Sequence, residues 1–410
     1  MHVETVVAKE RVRQDAPQDR GGVGRALLLT LALLAAVAPL ATDLYLPALP
    51  SLASDLGADE TGAQLTLTAF LVGMSLGQLV FGPLSDRLGR RAPLVAGVVL
   101  CIAAGVVSVL ATSLAVLVLA RLVQGLAGSA GMVLGRAVVS DLSDGVTAAR
   151  ALSLMMIVGG LAPVLAPAVG GVLAGAVGWR GLLGIVLVLT VLMLVTVLLF
   201  VPESFPPERR AAERAALSGR GAAWRGLGAR DYIGYTVAFA FGFGVLMSYI
   251  SASPFLYQQQ MGLSATAYGL AFGLNALGLV AVSAVSARLV TTRSPYLLAA
   301  AGLVAMLLAS LVLLALVLAD AAAGWFALPI LVAVAALGLV MGNGTALALA
   351  AVPHGRGTAS AVLGAAQFGL GGIVSVLAGL GEGALSLALV MSACSVVALA
   401  GLLVGGAGRR

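Results

Sequence analysis

The sequence is short of charge. Only 10% of its 410 residues are Asp, Glu, Lys or Arg, against 60% hydrophobic. A soluble domain carries about 25% charged residues. The 23 basic and 17 acidic side chains here cannot cover a water-facing surface of this length. The same figures exclude disorder, because disordered chains are poor in apolar residues. Cysteine is almost missing: Cys101 and Cys394 both stand in apolar runs. Two thiols so placed give neither a disulfide framework nor a metal-ligand spacing. Histidine is as scarce, with His2 and His354 far apart, and no metal is expected. Without a Gly-rich phosphate loop, energy from ATP within this chain is not expected either. Aromatic residues make up 5% and lysine occurs once, at Lys9.

What is present reads as a polytopic membrane protein. The 53 glycines suit close helix packing in lipid. A membrane-crossing helix needs about 20 mostly apolar residues. Twelve such stretches are expected, at roughly 25–48, 65–84, 92–111, 114–138, 152–176, 181–201, 232–256, 265–286, 295–318, 325–350, 358–380 and 385–405. The first lies behind a charged leader and contains Asp43 and prolines, so it reads as a span rather than a cleavable signal. Twenty of the 23 basic residues fall on one side, in the leader, the alternate loops, the central linker and the tail. Arg180 alone falls in a loop on the other side. The positive-inside rule therefore puts both termini in the cytoplasm. The expected organisation is a cytoplasmic leader (1–24), a six-helix half (25–201), a cytoplasmic linker (202–231), a second six-helix half (232–405) and a short tail (406–410). The linker mixes Arg, Glu and Ala, and reads either as an amphipathic helix on the membrane or as a solvated tether.

Six plus six suggests a duplication. Ser85-Asp86-Arg87-Leu88 at the end of span 2 is echoed by Ser286-Ala287-Arg288-Leu289 at the end of span 8, without the acid. Gly57 and Gly262 are 205 residues apart, and Arg150 and Arg356 are 206 apart. An even number of spans per half makes the repeats parallel, as in transporters that bind substrate between their halves. The expected fold is all-α: twelve transmembrane helices in two pseudo-symmetric halves.

The run Gly82-Pro83-Leu84-Ser85-Asp86-Arg87-Leu88-Gly89-Arg90-Arg91 resembles the signature between spans 2 and 3 of the major facilitator superfamily. Arg121-Leu122-Val123-Gln124-Gly125 through Gly128 in span 4 is similar to a signature of its drug–proton antiporters. So is the Gly- and Pro-rich run from Gly159 to Gly171 in span 5, although Ala162 rather than glycine precedes Pro163. Thr42-Asp43-Leu44-Tyr45-Leu46-Pro47 in span 1, Gly131 to Asp141-Leu142 in span 4 and Ser253-Pro254-Phe255 in span 7 resemble the bicyclomycin-resistance/CflA branch, which includes chloramphenicol-type exporters.

Individual residues carry two readings each. Asp43 lies about 25 Å along span 1 from Arg25. A carboxylate at that depth is expensive, and proton relays are a leading use; the alternative is a structural pair. Arg121, roughly 12 Å from the outer end of span 4, reaches a similar depth. The resemblance implies proton coupling for it; the alternative is an arginine that snorkels to the interface. The resemblance also implies that Gly82, Asp86, Arg87, Gly89 and Arg90 form a conformational latch. In it Asp86 would face the N-terminus of span 11, with Thr358 or Ser360 as caps and Arg136 as a further member. A helix N-terminus favours a carboxylate; the plain reading is topology marking. Gly159, Pro163, Pro167, Gly170 and Gly171 read as kink and close-packing residues on either view. Tyr45, Gln124, Tyr249, Phe255, Asn275, Asn343 and Gln367 are candidate cavity residues or plain interhelical hydrogen bonders.

Taken together, the expectation is a proton-driven exporter of small lipophilic drugs in a bacterial inner membrane. It would act as a monomer with the proton gradient as energy source, no cofactor and no nucleic-acid partner. A transporter of one specific metabolite on the same fold stands as the alternative. An enzyme is disfavoured because no His, Cys or acidic constellation gathers near one face.

Overall fold

The computed structural model describes residues 24–143, 145–208, 210, 226–352, 356–380 and 383–407, with backbone alone at 145–154, 156–157, 159–160, 226 and 356–357. Every regular element among them is helical. Eleven segments are long and apolar enough to cross a membrane. One of these belongs to a helical stretch of 56 residues, Gly145–Phe200. At about 1.5 Å per residue it would run near 84 Å, against a bilayer core of about 30 Å. Gly178, at φ 63° and ψ −177°, turns the chain back within it. Only a residue without Cβ adopts that backbone freely. The stretch is therefore spans 5 and 6 joined without a loop, and the spans among the described residues number twelve.

Span 1 is helical over Arg25–Asp43, not to residue 48 as expected. It breaks at Leu44 and Tyr45 and resumes through a 3₁₀ turn, Leu46–Ala48, and a short helix, Leu49–Asp55. Pro47 and Pro50 supply the reason, since neither can donate the N–H that a continuous helix needs. Span 2 runs Glu60–Leu88, span 3 Arg91–Val109 and span 4 Leu114–Leu142. Spans 2 and 4 both extend beyond the expected bounds. In the second half, span 7 is Arg230–Phe255, followed by a π-helical turn at Leu256–Gln260. Spans 8 to 12 are Ala265–Leu289, Pro295–Leu318, Ala327–Ala350, Arg356–Gly379 and Gly383–Gly406. Span 11 thus begins before Thr358 and Ser360, which sit inside its first turns and do not cap it.

The repeat is visible in the backbone. Gly57 and Gly262 both take positive φ, at 61° and 71°. Asp59 and Ser264, also 205 apart, cap spans 2 and 8 with their side chains. The halves meet along two antiparallel seams. Span 2 lies on span 11, and span 5 on span 8. Ser75 Oγ donates to Ala365 O at 2.8 Å, and Thr61 Oγ1 bonds Gly379 O. Gln258 Nε2 reaches Pro47 O at 3.0 Å, and Thr266 Oγ1 reaches Gly171 O at 3.1 Å. The last three bonds lie on the face opposite the termini, so the halves are tied there. One apolar core runs through both halves, from Ala38 to Leu402. A second, around Leu31, Leu94, Leu134 and Val197, fills the termini side of the first half. Both cysteines are buried, Cys394 within the first of these cores.

Candidate functional site

The break in span 1 builds the first site. The last carbonyls of a helix lack intrahelical partners, and Ala41 O is one of them. Arg121, fully buried on span 4, donates to it from Nη2 at 2.8 Å. Its Nη1 donates to Gln124 Oε1 at 2.7 Å, a side chain three residues on and so on the same helix face. The guanidinium lies over the rings of Tyr45 (4.8 Å) and Phe70 (4.4 Å), while its Nε has no partner. Tyr45 is fixed in turn by a hydrogen bond with Thr66 at 3.0 Å. A charged side chain at mid-membrane costs about 3 kcal/mol on insertion scales. Two desolvated ring faces at about 2 kcal/mol each, with the negative end of the span 1 dipole, are of the size that offsets it.

Asp43 is the last residue of the same helix and is 4% exposed. No ion pair joins it to Arg121. The carbonyl that Arg121 holds, Ala41 O, belongs to the residue two before Asp43 on the same last turn. Around Asp43 the packing is backbone on backbone. A Cβ at Gly170 would lie 2.0 Å from Leu44 O, one at Gly171 2.4 Å from Ala265 O, and one at Gly269 2.3 Å from Pro167 O. The Gly and Pro residues of span 5 thus let spans 1, 5 and 8 converge on the acid. Pro163 is half-buried, and the surroundings of Gly159 lie outside the described residues.

Across the seam, the second half places a hydroxyl cluster. Tyr249, Tyr257, Tyr268 and Phe272 pack edge-to-face and stacked, with centroids 5.4–6.5 Å apart. Asn275 Nδ2 donates to Tyr249 Oη at 2.7 Å and reaches Tyr257 Oη at 3.5 Å. Ser253 and Tyr268 share a bond of 3.0 Å. Of the candidate cavity residues, Tyr45 and Gln124 therefore belong to the Arg121 site and Tyr249 and Asn275 to this cluster. Phe255 is buried at the end of span 7. Asn343 stands apart, bonded to Ser286 and Leu339 O. Gln367 is half-buried on span 11, next to Phe368, whose ring meets Phe243 at 5.6 Å.

On the termini side, Arg90 is the hub. It pairs with Asp86 at 2.7 Å and with Asp141 at 3.0 Å, bonds Ser85 Oγ at 2.7 Å and lies over Phe205 at 4.6 Å. Burial works against its charge, yet the two carboxylates outweigh burial and hold Arg90 above the ordinary arginine value. Asp141 also accepts from Ser204 at 3.0 Å. Glu203 accepts from the backbone N–H groups of Arg90 (2.8 Å), Arg91 (3.2 Å) and Phe205 (3.0 Å), so it caps span 3 from the far end of span 6. A Cβ at Gly89 would lie 2.6 Å from its Oε2. Arg210 donates to Arg87 O. The beginning of the linker is thus docked on the motif; 209 and 211–225 lie outside the described residues. Gly82 accepts from Ser85. Arg136 is exposed and donates to Met132 O on its own helix, away from this network. The residues just before span 11, where Asp86 was expected to act, lie outside the described set. Sequence reasoning missed Glu203, Ser204, Phe205, Tyr257 and Tyr268. It quoted Asp141 and Ser253 only as part of a resemblance.

The sequence profile of the Major Facilitator Superfamily matches residues 31–376. An uncharacterized MFS-type transporter of Bacillus subtilis is 32% identical over 363 residues, covering 87% of this chain and 89% of its own. A bicyclomycin resistance protein homolog of Haemophilus influenzae is 28% identical, covering 91% and 94%. Among solved structures, a D-xylose–proton symporter superposes with a TM-score of 0.74 at 18% identity over 91% of this chain and 96% of that one, a likeness of fold alone.

Proposed function

The chain belongs to the major facilitator superfamily, and from that premise we propose that it is a proton-coupled exporter of small, lipophilic drugs working by alternating access. The resemblance to a bicyclomycin resistance protein homolog over nine-tenths of both chains carries the cargo class. The placement of one acid and one arginine at the span 1 break supports the coupling. In this reading the termini are cytoplasmic and the protein lies in a bacterial inner membrane. Drug enters between the halves from the cytoplasmic side, against the half-buried face of span 11 around Gln367 and Phe368. Asp43 takes a proton from outside, and Arg121, fixed by Gln124 and Ala41 O, sets the field in which it does so. The Asp86–Arg90–Asp141 network holds the cytoplasmic edge when the cavity opens outward. Energy comes from the proton gradient, without a cofactor, and one chain suffices.

The test is reconstitution into proteoliposomes with an imposed pH gradient, using a drug to which the chain confers resistance in a hypersensitive bacterium. Drug movement should follow the gradient, stop with a protonophore, and be lost in Asp43→Asn. Drug movement indifferent to the gradient would sink the coupling. If no drug is moved and a single metabolite is, the specific-metabolite reading replaces it.

A further inference from the structure

Span 7 carries a proline one residue from its end, and a serine beside it answers the defect. Pro254 lacks the N–H that would bond the carbonyl four residues back. That carbonyl is Ile250 O, and Ser253 Oγ donates to it at 3.2 Å. The patch is not independent. The same Ser253 hydroxyl shares a 3.0 Å bond with Tyr268 Oη, in which either oxygen can be the donor. Ser253 has one proton to give. While it bonds Ile250 O, it must accept from Tyr268. When it donates to Tyr268, Ile250 O loses its bond.

Which polarity holds depends on what else Tyr268 meets. Its side chain is fully buried in the first turn of span 8, where that span packs on Pro167 and Gly171 of span 5, whose neighbour Gly170 abuts Leu44. The 3₁₀ turn just beyond Asp43, Leu46–Ala48, packs on span 8, and the field of Asp43 acts on the Tyr268 hydroxyl. The other titratable or charged groups on the packed elements are Arg121 from span 4, Tyr45 on span 1 itself, and Tyr249 and Tyr257 from span 7 and its π turn. Span 5 presents Gly, Pro and apolar residues there, and span 2 presents Thr66. A charged Asp43 attracts the Tyr268 proton; a neutral one does not.

We propose that Tyr268 and Ser253 form a hydrogen-bond relay that carries the charge state of Asp43 to the proline break of span 7. The proposal rests on Asp43 being the proton site. With Asp43 neutral, Tyr268 donates to Ser253, Ser253 to Ile250 O, and span 7 is braced through Pro254. The π turn that follows then holds Gln258 on Pro47 O and the outer face stays tied, the arrangement described above. With Asp43 charged, Tyr268 turns its proton to the carboxylate and Ser253 donates to Tyr268. Ile250 O is then released and span 7 bends at Pro254, freeing the Gln258 contact. Tyr268 and Ser253 are positioning residues in this scheme. Neither carries a proton away.

Amide hydrogen exchange of the 254–263 segment in nanodiscs, across pH and corrected for intrinsic exchange, reads the brace directly. The native chain should exchange several-fold faster there with Asp43 charged than with it neutral, and Asp43→Asn should stay slow throughout. Tyr268→Phe keeps the ring and cuts the relay, so its pH response should vanish. Ser253→Ala should exchange fast at every pH. A wild-type pH response in either variant, or none in the native chain, overturns the relay. A native chain with the pH response but without proton-driven drug movement would instead overturn the function proposed above, so the two failures are told apart.

Discussion

At the scale of the residue, the least expected arrangement is an arginine inside the membrane without a carboxylate on it. Arg121 is held by a planar set of donors to Gln124 and Ala41 O and by two ring faces. A lysine keeps the charge but has neither the fork nor the flat surface. Arg121→Lys should therefore cut proton-driven transport by at least about tenfold, measured as initial uptake rate in proteoliposomes. Much of this was legible in the sequence. The depth of Asp43 and Arg121 followed from residue counting, and Gln124 at i+3 from Arg121 was a visible neighbour. That Arg121 takes a backbone carbonyl of span 1 instead of the carboxylate was not, because it depends on where span 1 breaks. Tyr268 stands in the first turn of its span, where an aromatic ring commonly marks the interface, and only the fold shows it buried.

At the scale of the element, the helix ends show what a linear reading misses. Ser294 caps span 9 from the adjacent position in the chain, and sequence spacing finds it. The equivalent position in the first half is Arg90, 204 residues earlier, and its helix is capped by Glu203 from more than 100 residues away. No local pattern announces that contact. Both caps should carry similar weight. Glu203→Ala and Ser294→Ala should each destabilise the protein by about 1 kcal/mol, read from reversible unfolding in detergent. Only Glu203→Ala should also loosen the Arg90 network, seen as faster exchange of the amides at 90 and 91.

At the scale of the whole molecule, the number of spans, the two halves and the repeat offset were all readable from hydropathy and charge. The seams were not, because they are made by small residues whose partners sit in the other half. On span 11, a Cβ at Gly364 would lie 2.1 Å from Gln78 Oε1, and one at Gly379 2.2 Å from Gln64 Oε1. Both obstacles are the ends of side chains on span 2, so they are removable. Gly364→Ala should slow transport severely, since the seam must stay closely packed through the cycle. Gln78→Ala in the same chain should restore most of the rate. The pair measured singly and together should be strongly non-additive, with transport rate as the readout; additivity would mean that the two helices do not bear on one another there.

The two thiols bear on how such variants are compared. Cys101 and Cys394 are 3% and 4% exposed, so a maleimide dye added to the native protein finds nothing to label. On unfolding, both become reactive at once, one from each half. The chain thus contains its own melting reporter, and any cysteine introduced at the surface is labelled against a silent background without first removing the native pair.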